Sequence, residues 1–243
     1  MEPQLYLPDM NKKYLKDQIS QFVDLFILKL NPVFENIDEE AEEHGNEFFN
    51  NFCGHGDPES IDPGDFAEEA MDRAFKHWEF LNHGKYVLLA SWHVALYEAF
   101  EQQIRCYLYR ELSHNFKLTI NHVFPKFNDM KKILFLYQID LASLKGLKQI
   151  DHLRLLCNVI KHGEGESANE LRKKRPDLIK THDDTDLLYL YESSLLEEVL
   201  EINEKTLVEF GNAIKDFWVS FPERSFCKER HKLLDLINKN CKR

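Results

Sequence analysis

Apolar and polar positions alternate along most of this chain with the three- and four-residue rhythm of amphipathic helices. Leu15, Ile19, Phe22, Val23, Phe26, Ile27 and Leu30 keep it through residues 11–30 and predict a first helix. Asn31-Pro32 reads as a cap with proline at the next helical position, followed by a helix to about Phe52 carrying Phe34, Ile37, Ala41 and Phe48 inward. Asp65 caps a short helix through about Phe80, Asn82-His83-Gly84 interrupts it, and Lys85 to Ser113 forms a long one with Leu88, Leu89, Trp92, Leu96 and Phe100 on its apolar face. Met130, Ile133, Leu134, Tyr137, Leu141 and Leu144 mark another helix, and Gly146 separates it from a helix at 147–162. Ser167 with Glu170 three residues on has the capping-box spacing, and Pro176 stops the short helix that follows. Leu187 to Tyr191 reads as a short extended segment, and Ser193 to about Phe217 as the last major helix. The expected fold is all-α, an up-and-down helical bundle with one long central helix pair and a short extended segment near 187–191. The expected organisation is an N-terminal helical pair at 1–64, a main helical domain at 65–222 and a basic C-terminal tail at 223–243.

One helix departs from simple amphipathicity. In LKQIDHLRLLCNVIKH, residues 147–162, Asp151, Arg154, Asn158 and His162 recur at three- and four-residue steps among Ile150, Leu153, Leu155, Leu156, Cys157, Val159 and Ile160. On a helix the four polar groups share one face. Charged groups are rarely buried without partners, so this stripe needs either a partner or a function.

Composition narrows the class. With 243 residues, 43% hydrophobic content, 9 Gly and 8 Pro, the chain can bury a core and has few turn residues for a sandwich or barrel. The formal charge of −11 excludes a generic polyanion binder. The charge is uneven: 15 acidic against 2 basic residues between Glu35 and Glu79, but 9 basic against 5 acidic between Ser143 and Lys180. Two ordinary solvated faces would give the same asymmetry. Cys53, Cys106, Cys157, Cys227 and Cys241 contain no CxxC pair, as expected of reduced cytoplasmic thiols. The opening MEPQLYLPDMNKK lacks a signal pattern, and no apolar run reaches the roughly 18 residues of a membrane span. His55 and Asp57 in the loop CGHGDPESIDPG are too few ligands for a metal site, and Cys227 and His231 stand one turn apart without two more nearby. No phosphate-loop, dinucleotide, zincin or nucleophile-elbow motif is present, so no metal and no cofactor is expected.

The stripe has two readings. Asn158, Arg154 and Asp151 would bond one another or nearby carbonyls, and His162 would complement the helix dipole. Alternatively, a histidine with an arginine and no metal suits phosphodiester cleavage in RNA, where the adjacent 2′-hydroxyl is the nucleophile. His162 would move protons near neutral pH, Arg154 would neutralise phosphoryl charge, and Asn158 would orient the imidazole or bind phosphate. Lys161 and the run Arg172, Lys173, Lys174 and Arg175 would bind RNA phosphates, or would simply complement the end of their own helix.

CNVIKHG resembles the end of the motif of the HEPN superfamily (higher eukaryotes and prokaryotes nucleotide-binding), and ALYEAFEQQIRCYL resembles its long early helix. Asn158 matches the polar position and His162 the histidine. Cys157 stands where the arginine usually stands, and Arg154 lies roughly 12 Å of helical rise from His162. The resemblance covers about residues 85–220. It implies a metal-independent endoribonuclease or a non-cleaving RNA-binding relative, as found in toxin–antitoxin and phage-defence systems. It also implies a homodimer that pairs the 147–162 helices across a two-fold axis, with RNA and a cognate antitoxin or defence protein as partners. The departure at Cys157 keeps a second expectation open, a non-catalytic dimerisation or interaction module using the same helix.

Overall fold

The computed structural model describes residues 2–52, 63–118 and 127–241. It is an all-α helical bundle, 75% helix and 6% strand, so that strands serve only as clips. A strand β1 (Gln4–Tyr6) leads into α1 (Asp9–Leu25), which widens into a π-helical turn at Phe26–Leu30 and then tightens to a 3₁₀ turn at Asn31–Phe34. α2 (Ile37–Phe52) then packs against α3 (Pro63–Ser113). Their axes lie close together because both contribute small residues. A Cβ on Gly45 would stand 2.7 Å from the Ala70 carbonyl oxygen and 2.9 Å from the Ala74 Cβ.

α3 is one unbroken helix of 51 residues, about 75 Å long. The break expected at Asn82-His83-Gly84 does not occur. Asn82 donates its side-chain amide back to the Trp78 carbonyl at 3.0 Å, and Gly84 keeps a negative φ. The cost of a helical glycine, about 1 kcal/mol, is small beside the tertiary packing of the turns on either side.

α4 (Phe127–Leu136) is shorter than the pattern implies. Gln138 takes φ 59°, and Asp140 caps a separate 3₁₀ turn at Leu141–Ser143 by accepting from the Ala142 N–H at 2.9 Å. α5 (Leu147–His162) and α6 (Glu166–Lys174) follow, then a two-residue hairpin of β2 (Thr181–His182) and β3 (Thr185–Asp186). Residues 187–191 are not extended. They form a short helix α7 (Leu187–Tyr191), because the Asp186 carboxylate caps it by accepting from the Tyr189 N–H at 2.8 Å. The last long helix, α8 (Glu204–Ser220), starts eleven residues later than the expected Ser193. Asn203 and Thr206 form a reciprocal capping box there, and Leu196, within the span of the expected helix, is exposed. β4 (Arg224–Phe226) pairs antiparallel with β1, and α9 (Arg230–Cys241) follows it.

The core lies where α3, α5 and α8 meet. Phe100, Tyr107, Phe217, Trp218 and Phe221 form a buried aromatic cluster with edge-to-face contacts such as Phe100–Phe217 at 5.2 Å. The Trp218 indole N–H is not stranded in it, since it donates to the Gln103 side-chain oxygen at 2.8 Å. The predicted loop at 53–64, with His55 and Asp57, falls mainly outside the described residues.

Candidate functional site

Two glycines fix α5 in the bundle. Gly146 enters it at φ 74°, and a Cβ there would overlap the Ala213 carbonyl of α8. Gly163 ends it at φ 70°, donating its N–H to the Val159 carbonyl at 2.8 Å, and a Cβ there would overlap the Glu192 carbonyl. Between them Ile150, Leu153, Leu155, Leu156, Cys157, Val159 and Ile160 are buried, as the pattern requires. The Cys157 thiol donates to the His93 carbonyl at 3.5 Å, and burial pushes its pKa up. The position that carries arginine in the resembling motif therefore faces the core.

The other face of α5 is a series of local bonds. Both Asp151 carboxylate oxygens accept from Lys131 Nζ of α4 at 2.8 Å. Arg154 Nε lies 3.6 Å from Asp151, an ion pair too long for a hydrogen bond, and that buried Nε has no hydrogen-bond partner. Beside it the Tyr97 hydroxyl donates to Glu101 at 2.8 Å; burial and the Glu101 charge push the phenol's pKa up, while Arg154 opposes them. Asn158 donates to the Ser167 hydroxyl at 3.2 Å, which explains Ser167: it lies inside α6 and does not cap it. Lys161 pairs with Glu98 of α3 at 3.1 Å. His162 is exposed at the end of the helix, and its ring has no hydrogen-bond partner among the described residues. Arg154 and His162 share α5 but stand eight positions apart, about 12 Å along the axis.

The basic run is placed differently from the simplest expectation. α6 folds back along α5, as the Asn158–Ser167 bond at one end shows, and the charges of Arg175 and Lys174 act on His152 near the start of α5. Each of the four cations is engaged by carboxylates of the chain itself. Arg172 forks between Glu164, at 2.6 and 2.8 Å, and Asp186, at 2.6 and 3.3 Å. Hydrogen bonds from Arg172 hold the Glu164 carboxyl below its ordinary range. Burial works against charged Asp186, but bonds from Arg172 and from the backbone N–H of Tyr189 outweigh it, and its pKa also falls. Arg175 pairs with Asp177 at 2.8 Å and Glu209 at 2.8 Å, and Lys173 and Lys174 both pair with Glu170. Lys173 and Lys174 are exposed and their pairs are weak, whereas Arg172 and Arg175 are largely covered.

Two buried histidines escaped the reading of the sequence. His93 is fully buried in α3. Its Nδ1 donates to the Leu89 carbonyl at 2.8 Å, its Nε2 lies 3.0 Å from the Thr206 hydroxyl, and burial lowers its pKa to about 4. Its place among Leu89, Leu96 and Phe100 on the apolar face was the available signal. His152 is buried too, and burial first, then Arg175 and the neighbouring lysines, lower its pKa. Among the described residues no cluster of three His, Cys, Asp or Glu side chains could hold a metal ion. No helix among them is long and apolar enough to cross a membrane. Comparison with protein-family models, with curated proteins and with solved structures found no match in any of the three.

Proposed function

We propose that this chain is a non-cleaving, HEPN-like helical interaction protein that presents the exposed end of α5 and the adjoining edge of α3 to a partner. One observation carries this reading. Asn158 and Lys161 are bonded within the chain to Ser167 and Glu98, Arg154 faces Asp151 at ion-pair distance, and Arg154 stands two turns from His162. A centre for phosphodiester cleavage must converge on a single phosphate, with donors within about 3 Å of the reacting oxygens. Side chains spread along 12 Å of helix, two of them bonded sideways, form a polar docking face instead.

A second reading is favoured by His162, which is exposed and whose ring has no hydrogen-bond partner among the described residues. In it the protein is a metal-independent endoribonuclease with His162 as acid/base, of the toxin–antitoxin or phage-defence type. A second copy across a two-fold axis would supply the missing cation. Incubating purified protein with RNA in chelator, wild type beside His162→Ala, separates the two. Intact RNA in both samples is expected. Cleavage that disappears with His162→Ala establishes the second reading and ends the first.

A further inference from the structure

β1 lies at the C-terminal end of α3, and the bonds that hold it come from distant sequence. The Leu7 N–H donates to the Glu223 carbonyl at 2.8 Å, and the Cys227 N–H donates to the Pro3 carbonyl at 2.9 Å. Leu5 and Leu7 fill buried sockets, and Arg224 lies 4.7 Å over the Tyr6 ring. A side chain of α3 completes the attachment: the Tyr6 N–H donates to Glu111 Oε2 at 3.0 Å. α1 does not need this strand. Its first turn closes on Pro8, whose carbonyl accepts from the N–H groups of Asn11 at 2.9 Å and Lys12 at 3.1 Å. β1 can therefore swing about Leu7-Pro8 while α1 stays intact.

Two buried phenols compete for the same carboxylate. Tyr107 stands one turn before Glu111 on the same face of α3. Tyr137 follows α4. They are 3 and 1% exposed, and neither hydroxyl has a hydrogen-bond partner among the described residues. Burial and then the Glu111 charge push the Tyr107 pKa up; burial, then Cys227 and Glu111, do the same to Tyr137. Both phenols stay protonated, so both are donors in the field of Glu111. A buried donor left unpaired carries the full cost of its desolvation. Glu111 is half-buried and borders a cleft of about 460 Å³ together with Gln4, His114 and Asn115, so its carboxylate has room to turn.

We infer that β1 is a releasable strap and Glu111 its latch, whose carboxylate holds the Tyr6 N–H when the strap is closed and the Tyr107 and Tyr137 hydroxyls when it is open. The closed state satisfies the backbone of β1 and leaves two phenols unpaired. The open state gives up the pairing with β4 and the sockets of Leu5 and Leu7, and gains charge-assisted bonds from the phenols to Glu111. The closed state is the ground state, and the competition for Glu111 lowers the cost of leaving it. Opening bares the backbone edge of β4 and the two leucine sockets. The device uses no residue of α5 and does not depend on the function proposed above.

Native-state hydrogen exchange on the full chain, followed by mass spectrometry, reads the opening through the Leu7 and Cys227 amides. In the wild type these two should exchange together, about tenfold or more faster than the buried amides of α8. Tyr107→Phe with Tyr137→Phe keeps both rings and removes both competing donors. It should slow exchange at Leu7 and Cys227 by about tenfold or more. Glu111→Ala should speed exchange at both, since the strap loses its anchor. With Glu111→Ala already in place, the two phenylalanine substitutions should change the rate by less than about twofold, because no carboxylate is left for the phenols to take. Strap amides as slow as those of α8, or unchanged by the phenylalanine pair, overturn the inference. So does a slowing that is equally large with and without Glu111, which is what simple hydration of the phenols on opening would give. Should Glu111→Ala fail to fold, the conservative phenylalanine pair decides alone.

Discussion

Replacing Arg172 with alanine should damage stability, because the guanidinium is a structural fork. It joins Glu164, just past the end of α5, to Asp186, the cap of α7, through four hydrogen bonds of 2.6–3.3 Å. The three side chains are 23, 24 and 27% exposed, so water screens them only in part. Exposed pairs contribute about 0–1 kcal/mol, whereas breaking a buried pair costs about 3–5 kcal/mol. A three-quarters-covered fork falls between them, and about 2 kcal/mol is expected. For a chain of this size that lowers Tm by about 4–8 °C. Urea unfolding of wild type and Arg172→Ala measures it directly, and pH tests its origin. Both carboxylates are held below their ordinary values of 4.5 and 3.8 in the folded state. A depressed carboxylate contributes stability that is complete above its unfolded value and is lost as pH falls through the lower folded one. The gap between the proteins should be full at pH 6–7 and shrink progressively below about pH 4.5. A loss under about 0.5 kcal/mol, or one that does not change with pH, refutes the fork as described. In that event Arg172 returns to being an available phosphate ligand.

Further outcomes test the packing around α5. Gly146→Ala forces a side chain into the left-handed region against the Ala213 carbonyl, and a destabilisation of about 3 kcal/mol or more in urea is expected; a cost below about 1 kcal/mol contradicts the close approach. Cys157→Arg, which installs the residue usual in the resembling motif, buries a guanidinium against α3 and should leave the chain largely unfolded by circular dichroism at 37 °C. A folded variant would show that this position can turn outward. His93 is neutral when folded, with a pKa near 4 against 6.5 when unfolded. Protons therefore favour the unfolded chain, and its contribution, at most about 3 kcal/mol, is complete above pH 6.5 and lost as pH falls towards 4. His93→Gln should flatten that slope in urea titrations between pH 4 and 7, and an unchanged slope rejects the assignment. His162→Ala should leave the unfolding free energy in urea within about 0.5 kcal/mol of wild type, since its ring bonds to nothing among the described residues.

Sequence alone determined the fold class and the inner face of α5. Three-residue periodicity is a local property, and burial of Ile150, Leu153, Leu156 and Ile160 follows from it whatever the neighbours are. Gly146 and Gly163 were legible for the same reason, because left-handed turns at helix ends select glycine. Element boundaries were legible only where the cap was local. Asn82-His83-Gly84 looks like a break, but packing on both sides carries α3 straight through it. Tyr189 and Tyr191 suit a strand, but the carboxylate of Asp186 turns the segment into helix. The polar face of α5 was visible as a pattern, and its meaning was not. Whether Arg154, Asn158 and Arg172 are available to a ligand depends on Asp151, Ser167, Glu164 and Asp186. Two of these bonds, Asn158–Ser167 and Arg172–Asp186, span 9 and 14 positions, and both depend on how α6 folds back. Charge neutralisation acts through space at about 3 Å, so a run of four cations reads as basic along the chain and becomes a set of closed ion pairs once the tertiary structure brings the acids to them.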